Sequence, residues 1–162
     1  MPKLIFFCGK MAAGKSTLAQ ALARQENAVL LVQDELLAAL YPAEILSVAD
    51  FVRCSARLRD AIGPHVRALL SRGMSVVLDF PANTKAQRAW FRELFEAAAV
   101  PHELHTIEAS DTLCKRQLAQ RSRHLPPGTP WTTEAEFDAV TAYFQPPEAD
   151  EGFTLIRHQR QG

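Results

Sequence analysis

The hydrophobic residues of this chain follow two alternating periods. Short apolar runs predict strands at residues 3–8, 28–33, 74–79, about 102–107 and 153–157. Between them, apolar residues recur every three to four positions and predict helices at residues 15–25, 34–40, about 50–72, 84–98, 110–123 and 133–144. Gly63-Pro64 is expected to kink or interrupt the third helix, and Gly73 to end it.

Strands that alternate with helices predict an α/β fold, with a parallel five-stranded sheet that carries helices on both faces. The second strand is apolar throughout its centre, as expected of a strand buried on both faces. A length of 162 residues suits one domain, and we expect residues 1–162 to form it. The Pro- and Gly-rich stretch at residues 126–130 cannot be helical and predicts a loop tip.

The loop after the first predicted strand carries the clearest chemical signal. Nine consecutive residues contain the pattern G-x-x-x-x-G-K-[ST]: Gly9, Lys10, Met11, Ala12, Ala13, Gly14, Lys15, Ser16 and Thr17. The glycines permit backbone angles at which successive N–H groups point at phosphate oxygens, and the following helix directs its positive end there. Lys15 is expected to reach the β- and γ-phosphates, and the Ser16 hydroxyl to ligate Mg²⁺. The sequence therefore predicts a P-loop that binds a nucleoside triphosphate, ATP with Mg²⁺.

Charge and composition limit the possible cellular locations and binding partners of the protein. The chain has 18 Lys plus Arg and 18 Asp plus Glu, so its formal charge is zero, which does not favour a dedicated duplex-binding protein. It has neither a signal-peptide pattern nor an apolar run long enough to span a membrane. Its three cysteines, Cys8, Cys54 and Cys114, match neither a disulfide framework nor a zinc spacing. We expect a cytoplasmic protein with reduced, structural thiols.

Phosphate binding alone does not distinguish a GTPase, a motor ATPase and a kinase. No guanine-reading Asn-Lys-x-Asp occurs, and Asp79 is followed by Phe80-Pro81-Ala82 instead of the glycine-bearing switch of a GTPase. A motor ATPase usually has a longer chain and a catalytic Glu after its acidic strand end. Size and element order therefore favour a small kinase.

Three stretches resemble the small P-loop kinases that include the kinase domains of polynucleotide kinases, the zeta toxins and chloramphenicol phosphotransferase. The first is the stretch from Phe7 to Leu18. The second is residues 76–79, with Asn83 and Trp90 following as in the phage polynucleotide kinase. The third is residues 144–153, which look like the C-terminal end of the animal polynucleotide kinase. The likeness spans nearly the whole chain, although only its first motif is specific by itself. It implies transfer of a γ-phosphoryl group to a hydroxyl, but members of this group phosphorylate quite different hydroxyls.

Two aspartates end predicted strands at the sheet edge where such folds bind ligands. Asp34 follows the second strand, and the resemblance implies that it takes the proton of the attacking hydroxyl. Alternatively, Asp34 only caps the helix that follows. Asp79 ends the third strand and is expected to hold a water on Mg²⁺ or to orient Ser16; alternatively, it is a turn residue before Pro81.

A basic stretch precedes the Pro- and Gly-rich tip. From residue 112 to residue 133 the chain has no acidic residue, but it has Lys115, Arg116, Arg121 and Arg123. In small kinases this position is a lid whose arginines neutralise charge on the transferring phosphoryl group. We therefore expect a short lid at about residues 121–133 and catalytic roles for Arg116, Arg121 and Arg123. A solvated basic helix face would explain the same charges.

Three residues are candidates for acceptor contacts. Arg53 and Arg57 lie four residues apart and share a helix face, and Asn83 follows the third strand, where turn chemistry also explains it. We expect a small-molecule hydroxyl acceptor. One alternative is a nucleic-acid 5′-hydroxyl kinase, for which Arg53, Arg57 and Arg88 are the remaining candidate cations in plausible positions. Another is a nucleotide-responsive binding protein with slow hydrolysis. The oligomeric state stays open.

Overall fold

The computed structural model describes residues 1–123 and 134–160, and for residues 121–123 and 136 it describes the backbone only. The strands are β1 (Leu4–Gly9), β2 (Val29–Val32), β3 (Val76–Pro81), β4 (His102–Glu108) and β5 (Leu155–Gln159). The helices are α1 (Lys15–Gln25), α2 (Gln33–Leu40), α3 (Val48–Ser71), α4 (Lys85–Ala98), α5 (Asp111–Arg123) and α6 (Glu134–Thr141). A short 3-10 helix spans Ala149–Glu151.

The five strands form one sheet in the order β2-β3-β1-β4-β5, and every pairing is parallel. The register pairs Val32 with Asp79, and Gly9 with Ile107. The carboxyl ends of the strands therefore meet at one edge of the sheet, where the β1–α1 loop also lies. The predicted α/β fold with a parallel five-stranded sheet is confirmed.

Consecutive residues of β1 point to opposite faces of the sheet, and both faces are buried. Ile5 and Phe7 pack with Ala19 and Ala23 of α1. On the other face, Phe6 belongs to the large cluster that includes α3 and α4, and it stacks on Phe91 of α4 with ring centroids 4.5 Å apart. Because each face is covered by helices, the sheet edge is a rigid base for the loops that follow the strands.

Helix α3 differs from its prediction. It runs without a break from Val48 to Ser71 with Pro64 inside it, so an interruption is excluded and only a kink stays a prediction. Leu58 and Val66, on either side of the proline, pack into the same core cluster, and this burial stabilises the helix where Pro64 removes a backbone hydrogen bond. Gly73 follows the helix as predicted: its φ is +87°, and its N–H donates to the Leu70 carbonyl.

The C-terminal elements are shifted from their predicted positions. β5 begins at Leu155 because Gly152 turns the chain at φ +75° and Phe153 packs edge-on against Phe6 and Phe95 before the strand starts. α6 ends at Thr141, before the predicted limit of residue 144. The predicted lid beyond residue 123 and the start of its following helix at Thr133 lie outside the described residues. Within the described residues, no helix is long and apolar enough to cross a membrane.

Candidate active site

The phosphate loop connects β1 to α1, and its last residues form the first turn of that helix. Gly14 is the N-cap residue with φ 110°, and Ala12 also adopts a positive φ of 62°. The first turn of α1 contains no acidic residue, and Gly14 has no side chain to cap it. The N-terminal N–H groups and the positive end of the helix dipole therefore face the cavity without a competing carboxylate from α1.

Lys15 lies across this loop. Its Nζ donates a hydrogen bond to the Gly9 carbonyl at 2.7 Å. Burial lowers the pKa of Lys15, although Asp79 and Asp34 nearby act to raise it. These two carboxylates therefore offset the effect of burial only in part. Lys15 is thus a partly buried cation whose charge is left for another group to balance.

Asn83 holds the other side of Gly9. The Gly9 N–H donates to Asn83 Oδ1 at 3.0 Å, while the backbone of Asn83 is itself fixed at both ends. Its N–H donates to Gln87 Oε1 at 2.8 Å, and its carbonyl accepts from the Gln145 N–H at 2.8 Å. In this structure the side-chain oxygen of Asn83 therefore serves the phosphate loop, and an acceptor contact by Asn83 stays a prediction.

Ser16 and Asp79 meet because β3 lies beside β1. The Ser16 hydroxyl donates to Asp79 Oδ2 at 2.8 Å. A hydroxyl and a carboxylate are the hard oxygen donors that Mg²⁺ takes, and Mg²⁺ sites commonly use one or two protein groups with waters and phosphates. No group of three or more His, Cys, Asp or Glu side chains suited to a metal occurs in the described part of the chain. The donor set fits an ion held jointly with phosphate rather than an all-protein cage.

Asp34 lies in the first turn of α2 and lines the same cavity. The N-cap position of this helix is Val32, so the interpretation of Asp34 as the N-cap residue is wrong. The helix begins at Gln33 because β2 ends one residue earlier than predicted. A carboxylate in the first turn is still favourable for the helix dipole. Its role as a base stays a prediction.

The cavity above the phosphate loop has a volume of about 560 Å³. Asp34, Asp79, Phe80 and Pro81 line its β2–β3 side, and the residues from Met11 to Thr17, except Ala13, form its base. Gln117, Gln120 and Arg160 line the opposite side. We call it the phosphate-loop cavity. Its size is that of ordinary small-molecule sites, which run from roughly 300 to 1,000 Å³.

Arg160 was not expected from the sequence. Its Nη1 donates to the Ala13 carbonyl at 2.8 Å and to Gln117 Oε1 at 3.0 Å. A Cβ added to Gly14 would lie 2.7 Å from the same Nη1, so a side chain at this position would displace the guanidinium from its present place. The one usable signal was position, since Arg160 directly follows β5 at the carboxyl edge of the sheet.

Several predicted residues lie away from this cavity. Arg53 is paired with Asp50 at 2.9 Å on the exposed side of α3, and Arg57 is also exposed; neither lines the phosphate-loop cavity. Arg116 is exposed on α5 and does not line it either. The acceptor and catalytic roles assigned to these residues stay predictions.

Other basic residues are outside the described set or already paired. The side chains of Arg121 and Arg123 lie outside the described residues, so their lid role also stays a prediction. Arg88 is fully buried, and its Nε donates to Glu151 Oε1 at 2.8 Å. Arg88 is therefore a structural residue and cannot contact a nucleic-acid strand. Lys10 of the phosphate loop pairs with Asp111 at 2.6 Å.

Comparison with known proteins identifies the family. The family described as an AAA domain matches residues 4–147. The chain belongs to this AAA domain family. The described part of the AAA-family domain carries the P-loop on the parallel sheet found in small P-loop kinases, and the resemblance noted in the sequence is confirmed. No curated protein matches the chain significantly.

Solved structures share the fold of this AAA-family domain at low identity. A possible kinase from Chloroflexus aurantiacus has 22% identity and a TM-score of 0.73 over 98% of this chain and 88% of its own. The APS kinase of Mycobacterium tuberculosis, in complex with AMPPNP and APS, has 21% identity and a TM-score of 0.63 over 98% and 88%. A gluconokinase from Sinorhizobium meliloti has 17% identity and a TM-score of 0.59 over 96% and 82%. At these identities the likeness establishes the fold alone.

Proposed function

We propose that this AAA-family domain is an ATP-dependent phosphotransferase that moves the γ-phosphoryl group of ATP to a hydroxyl of a small molecule, with Mg²⁺ as cofactor. One observation carries the proposal. Lys15, the hydrogen-bonded pair Ser16–Asp79, and Asp34 all face a single cavity beside the uncapped start of α1. That set provides a cation for phosphates, oxygens for a metal, and a carboxylate for the nucleophile.

ATP would bind with its phosphates on the loop. The N–H groups of the loop and the start of α1 would donate to phosphate oxygens, and Lys15 would turn from the Gly9 carbonyl to the β- and γ-phosphates. The side of the cavity with Gln117, Gln120 and Arg160 would then receive the ribose and the base. The absence of a guanine-reading Asn-Lys-x-Asp in the sequence favours ATP over GTP.

Ser16 and Asp79 would hold Mg²⁺, Ser16 directly and Asp79 directly or through a water. The ion neutralises charge that develops on the phosphates during transfer. The hydrogen bond between the two side chains keeps them in place before nucleotide arrives. This is the arrangement expected of a preorganised oxygen site.

Asp34 would act on the acceptor. The acceptor hydroxyl would give its proton to the Asp34 carboxylate, its oxygen would bond to the γ-phosphorus, and the bond from that phosphorus to the β–γ bridging oxygen would break. ADP leaves with the electron pair of the broken bond. Phosphoryl transfer depends mainly on positioning and charge, so a single oriented carboxylate suffices beside the phosphates. Arg116, Arg121 and Arg123 stay candidates for stabilising the transferring group once a lid closes.

The similar structures support a phosphoryl-transfer reaction, but they do not identify the acceptor. By their names, the gluconokinase and the APS kinase transfer phosphoryl groups, and the latter was solved with AMPPNP. An acceptor cannot be carried over from folds that share so little sequence. The two rival functions, a nucleic-acid 5′-hydroxyl kinase and a nucleotide-responsive binding protein, give different outcomes in a phosphoryl-transfer assay.

The test is a screen with γ-labelled ATP and Mg²⁺ against metabolites, antibiotics and unphosphorylated oligonucleotides. Label on a small molecule supports the proposal, and label on an oligonucleotide 5′ end promotes the nucleic-acid kinase. ATP binding with no transfer to any acceptor favours the binding protein. Lys15→Ala is the matched negative control, because it removes the side-chain cation expected to reach the β- and γ-phosphates. Calorimetry that finds unchanged ATP affinity in that variant contradicts the assignment of the phosphate loop.

A further inference from the structure

A second cavity of about 750 Å³ lies at the same sheet edge but does not include Asp34 or Asp79. It is bounded by the ends of β1, β4 and β5 and by residues 141–147. Thr106 of β4 and Arg157 of β5 are neighbours in the register and both line it. Leu155, two residues before Arg157, packs into the core cluster of α3 and α4, so this β4–β5 cavity opens on that face of the sheet.

The charges around the β4–β5 cavity favour an anion. Its cations are Lys10, Arg157 and Arg160, and its one lining carboxylate is Glu108. Lys10 is already paired with Asp111 at 2.6 Å. Burial raises the pKa of the lining Cys8 thiol to about 11, so that thiol stays neutral.

Two arginines in this cavity have no ionic partner in the described part of the chain. Arg157 is exposed and has no carboxylate partner there. Arg160 donates only to neutral acceptors, the Ala13 carbonyl and the Gln117 amide. Two guanidinium groups against one carboxylate leave a net positive site, and guanidinium binds carboxylate in a specific two-pronged geometry.

Much of the remaining wall is apolar, although Ser110, Thr141 and Gln159 also line it. Phe144, Pro146, Pro147, Leu155 and Ile107 line the cavity beside these arginines. On the sheet side, Thr106 is 8% exposed and its hydroxyl has no hydrogen-bond partner among the described residues. That oxygen is itself buried, so a ligand in the cavity does not reach it.

We propose that the β4–β5 cavity binds a small organic carboxylate, with its apolar body on Phe144, Pro146 and Leu155 and its carboxylate on Arg157 and Arg160. The volume lies within the range of small-molecule sites. The cavity includes neither Asp34 nor Asp79, which the proposed function places beside the reacting groups, so its ligand is assigned as an effector and not as the phosphoryl acceptor.

Arg160 couples this site to nucleotide binding. Arg160 lines both cavities. Its Nη1 donates to the Ala13 carbonyl of the phosphate loop. A carboxylate that draws Arg160 toward Arg157 weakens its hold on Ala13, and so alters the loop that receives ATP. Such coupling is reciprocal: nucleotide must change carboxylate affinity by the factor by which carboxylate changes nucleotide affinity.

The experiment titrates the full chain with 2-naphthoate and with its uncharged counterpart 2-naphthalenemethanol, by ligand-observed NMR and calorimetry. We expect naphthoate to bind and the alcohol not to bind measurably. Arg157→Gln should weaken naphthoate by about tenfold, since one hydrogen bond between charged groups is worth about that factor. Arg24→Gln, an exposed arginine in the last turn of α1, is the matched control and should leave binding unchanged.

Repeating the titration with saturating AMPPNP and Mg²⁺ decides where naphthoate binds. Simultaneous binding, with a changed but non-zero affinity, supports the β4–β5 cavity. Strict competition with AMPPNP together with loss of binding in Lys15→Ala would show that the anion sits on the phosphate loop, and would overturn the proposal. Equal losses in Arg157→Gln and Arg24→Gln, or no naphthoate binding at all, would overturn it as well. None of these outcomes depends on whether the domain proves to be a kinase.

Discussion

Replacing the side chain of Asn83 is expected to weaken nucleotide binding without unfolding the protein. Asn83 Oδ1 accepts the Gly9 N–H at 3.0 Å, and the Gly9 carbonyl accepts from Lys15 at 2.7 Å, so the first residue of the phosphate loop is held on both sides. In Asn83→Ala only the side-chain bond is lost. The backbone bonds of residue 83 to Gln87 and Gln145 are available to alanine as well.

The magnitude follows from that single bond. A hydrogen bond of this kind contributes a net stabilisation of about 0.5–1.5 kcal/mol. If nucleotide binding must restore the order that this bond gives the loop, its loss lowers nucleotide affinity roughly two- to tenfold. Asn83→Asp keeps an acceptor oxygen for Gly9 but brings a negative charge near the phosphates. We expect it to lose more affinity than the alanine variant, and to recover part of the loss at high salt.

Calorimetry with AMPPNP and Mg²⁺ measures both variants, and Thr84→Ala is the control. The Thr84 hydroxyl caps α4 by accepting from the Gln87 N–H at 3.1 Å, so its loss should lower the free energy of unfolding by about 1 kcal/mol. It should leave AMPPNP affinity unchanged, because it does not touch Gly9. Wild-type affinity in Asn83→Ala would refute the reasoning. So would an equal loss of affinity in Thr84→Ala, since that would report general loosening of α4.

Three further predictions rest on charges in the described structure. Burial holds the pKa of Lys15 below its usual 10.5, so ATP affinity should fall as pH rises through that lowered pKa, with proton uptake detected by calorimetry in buffers of different ionisation enthalpy. Asp34→Asn should lower stability by no more than about 1 kcal/mol, the usual size of a first-turn charge effect, but lower phosphoryl transfer by about 10² or more, measured with the identified acceptor; equal turnover would exclude the base role. Burial acts to raise the pKa of Glu151, but its hydrogen bonds with Arg88 outweigh this and lower it, so this pair stabilises the fold above about pH 4.5 and less as pH falls through the lowered pKa. Glu151→Gln should lower the free energy of unfolding by about 3 kcal/mol or more in urea at neutral pH, because Arg88 is then buried without a counter-charge.

The parts of the site that sequence predicted are those set by short-range pattern. The strand, the glycine-bearing loop and the helix from β1 to α1 follow one another directly, and Asp34 and Asp79 lie at or beside strand ends. A parallel sheet brings those ends to one edge whatever the details of packing. Local sequence therefore sufficed to assemble Lys15, Ser16, Asp34 and Asp79.

The parts that it missed are pairs far apart in the chain. Gly9 and Asn83 are 74 residues apart, and Ala13 and Arg160 are 147 apart. Nothing local in an asparagine after a strand, or in an arginine near residue 160, specifies which backbone group it will meet. The pair Arg88–Glu151, 63 residues apart, shows that local sequence can also suggest the wrong environment for a side chain. Arg88 looks solvated in sequence and is fully buried in the fold.

The state of Lys15 indicates what the loop is for. A buried ammonium is unfavourable unless a negative charge lies beside it, and a lysine with a purely structural role normally has a carboxylate partner. Asp34 and Asp79 act to raise the pKa of Lys15, yet burial still prevails and lowers it. Its one hydrogen bond goes to the carbonyl of Gly9, which is a neutral partner. Asp34 and Asp79 therefore offset only part of the cost of burying this charge, and an anion that enters the loop would balance it further. A polyphosphate fits this requirement best, because the open N–H groups of α1, the Ser16–Asp79 pair and Lys15 all converge on the same cavity.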